Sequence, residues 1–96
     1  MAKLHRLGIS QETQLRQVAV IQGLMADLER TVQILSIDIA TEEERVRVFD
    51  PSAPAYPILA RTLRARRDNL CDTIAALGQR RRMIAETIEI SVAEAA

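Results

Sequence analysis

Phe49-Asp50-Pro51-Ser52-Ala53-Pro54-Ala55-Tyr56-Pro57 decides the fold. It holds all three prolines of the chain, and each proline lacks an amide proton and pushes the residue before it out of the helical region. No other stretch breaks the chain as strongly. On either side run long segments of Leu, Ile, Ala, Gln, Glu and Arg, residue types that give up little rotamer freedom in a helix. The reading is two long helices joined by a proline corner.

Working back from the corner, apolar residues step by three and four: Val18, Ile21, Met25, Leu28, Val32, Leu35, Ile39, then Glu42, Val46 and Phe49. That spacing keeps one edge of a helix apolar over many turns. Ser10 is the expected N-cap, with Glu12 in the first turn to suit the positive end of the helix dipole. Working forward, Ser52 or Ala53 can cap the second helix, with Pro54 in its first turn and Pro57 still tolerated among the first four amides. The second edge reads Leu59, Leu63, Leu70, Ile74, Leu77, Ile84 and Ile88, interrupted where Arg66 or Arg67 and then Arg80 or Arg81 fall on it. Gly23 and Gly78 lie inside helical patterns, where each is a candidate for close contact.

These edges predict an all-α fold, a long antiparallel two-helix coiled-coil hairpin in one domain spanning 1–96. Helix one is expected over 10–49, the loop over 50–54 and helix two over 55–92. Antiparallel partners should carry residue numbers summing to roughly 105, since each helix advances equally per residue. Val46 then faces Leu59, Leu35 faces Leu70, Val32 faces Ile74, Leu28 faces Leu77, Ile21 faces Ile84 and Val18 faces Ile88, with Glu42 near Arg66. Val20, Leu24, Ile34 and Ile37 are apolar but off this edge, as are Ile58, Met83 and Ile90 on the other helix. A second apolar stripe implies a neighbouring helix, so we expect a homodimer that assembles as a four-helix bundle in isolation, with some of this surface meeting a different protein in the cell.

Composition narrows the function. Ninety-six residues bury a limited core, which again points to partners. Thirteen basic and thirteen acidic residues cancel, leaving no overall field to hold nucleic acid or an anionic membrane. No apolar run is long enough for a membrane span and the amino terminus lacks a signal-peptide pattern, so a cytoplasmic protein without membrane insertion is expected. Cys71 is the single cysteine, which excludes an internal disulfide and suits a reducing compartment.

Chemistry is sparse. Glu42-Glu43-Glu44 point in three directions and have no His or Cys at ligand spacing, so a solvated helical face is expected rather than a metal site. His5 has no nucleophile or carboxylate placed to make it a base, and Cys71 has no activating His. Arg61, Arg64, Arg66 and Arg67, then Arg80, Arg81 and Arg82, form two basic clusters. Guanidinium forks suit carboxylates and phosphates, and we expect these to pair with acidic residues of helix one, Asp68 and Asp72. Without aromatic stacking residues or a helix-turn-helix, nucleic acid is a poor fit. No catalytic dyad, phosphate loop or zinc spacing is present. We therefore expect no enzyme activity, cofactor, metal or small-molecule substrate.

One resemblance sharpens the expectation. Glu43-Glu44-Arg45, Asp50-Pro51, Ala55-Tyr56-Pro57 and Arg66-Arg67-Asp68-Asn69-Leu70 resemble one branch of the flagellar export protein family called FliJ. Arg16-Gln17-Val18-Ala19-Val20-Ile21 and Met25-Ala26-Asp27-Leu28-Glu29-Arg30 are similar to its first helix, so the likeness runs from about Gln14 to Leu77. It implies an antiparallel coiled coil that engages the hexameric export ATPase and the export gate of the flagellar type III apparatus without hydrolysing nucleotide. Tyr56, Arg66, Arg67 and Leu70 would then be the first places to seek a partner footprint, alongside Val20, Leu24, Ile34 and Ile37. Their competing role is to fix the turn and the first layers of the hairpin. The chain departs from the family's pattern in its Lys3-Leu4-His5-Arg6-Leu7 opening and in ending at Ala96, before a longer carboxyl-terminal helix, and both bear on the ATPase contact. A dimeric helical scaffold or adaptor with no export role is the alternative.

Overall fold

A computed structural model describes residues 2–95, with side chains from Gln11 onward. The described residues form two helices and no strand: α1 over Ala2–Val46 and α2 over Ile58–Ala95. The fold is all-α, a helical hairpin. Helix α1 begins well before Ser10, whose backbone is helical, so the expected cap is not where the helix starts. The side chains of Ser10 and His5 lie outside the described residues. A serine inside a helix costs only a few tenths of a kcal/mol more than alanine, on the order of 0.5 kcal/mol, too little to stop a run of good helix formers. Threonines are accommodated in the same way, with Thr31, Thr41, Thr62, Thr73 and Thr87 each donating to the carbonyl four residues back.

The corner is longer than expected, because each proline does separate work. Asp50-Pro51-Ser52-Ala53 is one tight turn, closed by the Ala53 amide donating to the Asp50 carbonyl at 3.0 Å. The Asp50 carboxylate also accepts from the Ser52 amide and hydroxyl at 2.9 and 2.8 Å, bonds that hold its pKa below the usual value. Ala53-Pro54-Ala55-Tyr56 is a second turn, closed by the Tyr56 amide on the Ala53 carbonyl at 3.0 Å. Pro51 and Pro54 both occupy the second turn position, where a fixed φ fits. Pro57 keeps Tyr56 out of the helical region, so α2 cannot start near residue 55. Its first bond runs from the Arg61 amide to the Pro57 carbonyl at 3.1 Å. At the other end α1 stops at Val46, and Arg47 takes a left-handed conformation with φ 60°.

The chain divides into two compact units. The turn unit is Asp27–Ile74, and the terminal unit joins Met1–Ala26 with Ala75–Ala96. In the turn unit Arg67 reaches Ser36 at 3.4 Å across the helices, within two positions of the expected register. Leu35, Ile39, Tyr56 and Ala60 are buried, and Val32, Glu42, Val46, Leu63, Leu70 and Ile74 are half-buried. Two expected seam residues are not there: Phe49 is 53% and Leu59 54% exposed. Phe49 follows the end of α1, so its helical phase is lost. Leu59 is displaced because Tyr56, just before α2, and Ala60, in its first turn, take the inward edge at 3% and 0% exposure. In the terminal unit only Ile21 is buried among the described residues, with Val18, Met25, Leu77, Ile84 and Ile88 half-buried. Met25 Cε lies 3.4 Å from where a Cβ on Gly78 would stand, whereas Gly23 faces open space and is no close contact.

Candidate functional surfaces

In the turn unit a polar lock sits at the base of the corner. The Tyr56 hydroxyl donates to Glu43 Oε2 at 2.9 Å, and Arg64 approaches the same oxygen at 3.8 Å. Arg61 lies over the Tyr56 ring, 5.6 Å from its centre, within cation–π range. Burial of the ring, followed by the Glu43 bond, raises the phenol pKa above its ordinary 10.0. The three consecutive glutamates thus have three different basic partners. Glu42 takes Arg45, Glu43 takes Arg64 together with Tyr56, and Glu44 takes Arg47. The Glu42 and Glu43 side chains are only 13% and 15% exposed, so the expected solvated face holds for Glu44 alone.

The Glu42–Arg66 pairing is replaced by the nearer Arg45, whose hydrogen bonds lower the Glu42 pKa. A partner one turn along the same helix reaches the carboxylate more easily than one across the seam. Of the basic clusters, Arg64 finds Glu43, Arg67 finds Ser36 and Arg61 finds Tyr56. Arg66, Arg80, Arg81 and Arg82 make no ion pair among the described residues, which overturns the expectation that Asp68, Asp72 or helix one would neutralise them.

The candidate partner residues separate by burial. Tyr56 is inside, Arg67 and Leu70 lie half-buried on the seam, and Arg66 is exposed. Val20, Leu24, Ile34 and Ile37 are all exposed, at 48–64%. Ile58, Met83 and Ile90 are exposed too, as are Leu15 and Val92, which the spacing did not single out. Val20 and Leu24 contribute to a groove of about 350 Å³ within the terminal unit, lined by Thr13, Arg16, Gln17, Val20, Ile21, Leu24, Leu77 and Arg80. Its lining is mostly apolar, with Arg16 contributed by α1 and Arg80 by α2. Arg16 also pairs with Glu12 at 2.9 Å, both groups well exposed. Cys71 is an exposed free thiol.

Among the described residues no three His, Cys, Asp or Glu side chains gather as a metal site, and no helix is long and apolar enough to cross a membrane. No family model, curated protein or solved structure matches the chain.

Proposed function

We propose that the chain is a non-enzymatic protein-interaction component of bacterial flagellar type III export, a cytoplasmic helical hairpin that is held by the export ATPase and the export gate. What carries the reading as a bound protein is the apolar surface left uncovered on both helices, Val20, Leu24, Ile34 and Ile37 foremost. Large aliphatic side chains grouped on a helix face are the usual mark of a protein interface. The link to flagellar export rests on the resemblance of the corner, Asp50-Pro51 and Ala55-Tyr56-Pro57, and of Arg66-Arg67-Asp68-Asn69-Leu70 to the FliJ family. Within those matching positions Arg66 is the side chain offered to a partner, while Tyr56, Arg67 and Leu70 shape the hairpin beneath it.

Affinity capture with the whole chain from cells of a flagellated source tests this directly. Recovery of the export ATPase or a gate component is expected, and Arg66→Glu should reduce it. Recovery of neither removes the export reading. A second reading, a dimeric helical scaffold, is favoured by Ile34 and Ile37, 58% and 64% exposed on the turn unit. Sedimentation at micromolar concentration separates it, since a stable monomer sinks the scaffold.

A further inference from the structure

We propose that the groove in the terminal unit is the docking site for an amphipathic helix of another protein that carries acidic residues beside its apolar anchors. This deepens the reading of the chain as a bound hairpin and rests on it. The groove follows α1 from Thr13 to Leu24, about 16 Å of helix axis at 1.5 Å per residue. That length suits a guest helix with anchors at i, i+3 or i+4, and i+7, the pattern by which helices lie in apolar grooves. Val20, Ile21, Leu24 and Leu77 supply aliphatic area for such anchors.

Charge selects the guest. Arg80 lines the groove and has no acidic partner among the described residues. Arg16, on the α1 wall, shares its charge with Glu12 through an exposed pair, which contributes little and exchanges readily for another carboxylate. A second copy of the chain is the poorer occupant. A two-fold interface sets one patch against itself, so Arg80 and Arg16 of one copy would approach the arginines of the other, an arrangement that like charge disfavours. A helix with Glu or Asp flanking its apolar row meets both walls with opposite charge.

The test uses the whole chain as bait for a library of helical peptides with fixed leucine anchors and flanks randomised between Glu and Lys. Glu-flanked peptides should be enriched about tenfold or more over Lys-flanked ones. The Arg16→Glu/Arg80→Glu variant should reverse that preference, Arg80→Gln should weaken it, and Arg82→Glu, outside the groove, should leave the order of preference intact. All four chains are first shown by circular dichroism to keep the same helical content. No enrichment, equal enrichment of both flanks, or a preference untouched by the double variant overturns the proposal, as does a dimer that Leu24→Glu dissociates. If the export ATPase is recovered while the peptide preference is missing, the groove proposal falls and the export reading stands. If instead the groove selects by charge and neither export protein is recovered, the groove proposal stands and the export reading falls.

Discussion

The turn unit and the terminal unit use the same three-and-four seam to different ends. In the turn unit it carries four of the five buried side chains among the described residues, Leu35, Ile39, Tyr56 and Ala60. A polar lock of Tyr56, Glu43 and Arg64 joins the corner to both helices, and Ala60 is 0% exposed. The terminal unit has Ile21 as its only buried side chain among the described residues, puts Arg81 and Gly78 among its half-buried ones and leaves Leu15, Val20, Leu24, Met83, Ile90 and Val92 exposed. Heptad spacing therefore specifies which edge of a helix turns inward, while the size and polarity of individual residues decide whether that edge closes. Where it closes, the chain gains stability. Where it stays open, aliphatic side chains remain exposed.

The difference should show most strongly in truncations of buried side chains. Tyr56→Ala, which empties a buried site and strips Glu43 of a donor, is expected to cost about 3–5 kcal/mol in chemical denaturation. Ile39→Ala, at a position 2% exposed, should cost about 3 kcal/mol. Ile84→Ala makes the same deletion at a half-buried position of the terminal unit, and about half that loss is expected, because transfer energy scales with the area covered. Equal losses at Ile39 and Ile84 would erase the contrast between the units.

Much of this contrast is legible in the chain alone, and the failures share a cause. The proline corner, the α1 edge from Val18 to Val46 and the outward placing of Val20, Leu24, Ile34 and Ile37 follow from proline chemistry and from spacing. On α2 the apolar rows are broken by arginines, and hydrophobicity does not choose between neighbours such as Arg66 and Arg67 or Arg80 and Arg81. Continuing the three-and-four step from Ala60 does choose, selecting Arg67 and Arg81, both half-buried. That starting point is hidden because Leu59 is larger and more apolar than Ala60, and nothing local announces that Tyr56 has already filled the space. The Tyr56–Glu43–Arg64 lock escapes the sequence for a related reason. Its members lie on opposite sides of the corner, so only the register brings them together. The groove is half legible: Val20 and Leu24 stand out, but Arg80 as its basic wall requires knowing which face of α2 lies beside α1.

A subtler substitution isolates the lock from the packing. Tyr56→Phe keeps the ring and removes the hydroxyl, so Glu43 retains Arg64 but loses its closest donor. The expected cost is about 1.5–3 kcal/mol, the range for a hydrogen bond to a charged group. The same variant has a pH signature. The folded Tyr56 pKa is raised above its ordinary 10.0, so its contribution is complete below the unfolded value and is lost as pH climbs through the folded one. Stability of the parent chain should fall more steeply than that of Tyr56→Phe above about pH 10. Parallel alkaline curves would mean that neither burial of the ring nor the Glu43 bond raises the Tyr56 pKa.

The smallest effects probe backbone rather than side-chain packing, and they run toward greater stability. A methyl on Gly23 meets nothing within 4 Å, so Gly23→Ala should add about 1 kcal/mol through helix propensity. Arg47→Gly removes a side chain from a left-handed position, φ 60°, where glycine carries no steric penalty. The gain should be about 0.5–1 kcal/mol, since the exposed Arg47–Glu44 pair it deletes is worth little. Gly78→Ala is the informative member of the set, because its new Cβ would stand 3.4 Å from Met25 Cε, the free end of a flexible side chain. Met25 can turn aside if the terminal unit is as loosely closed as its half-buried seam indicates, and thermal melts should then show a gain of about 0.5 kcal/mol. A loss instead would mean that the helix halves there cannot yield even a methyl group, and that openness in this unit is confined to the groove side.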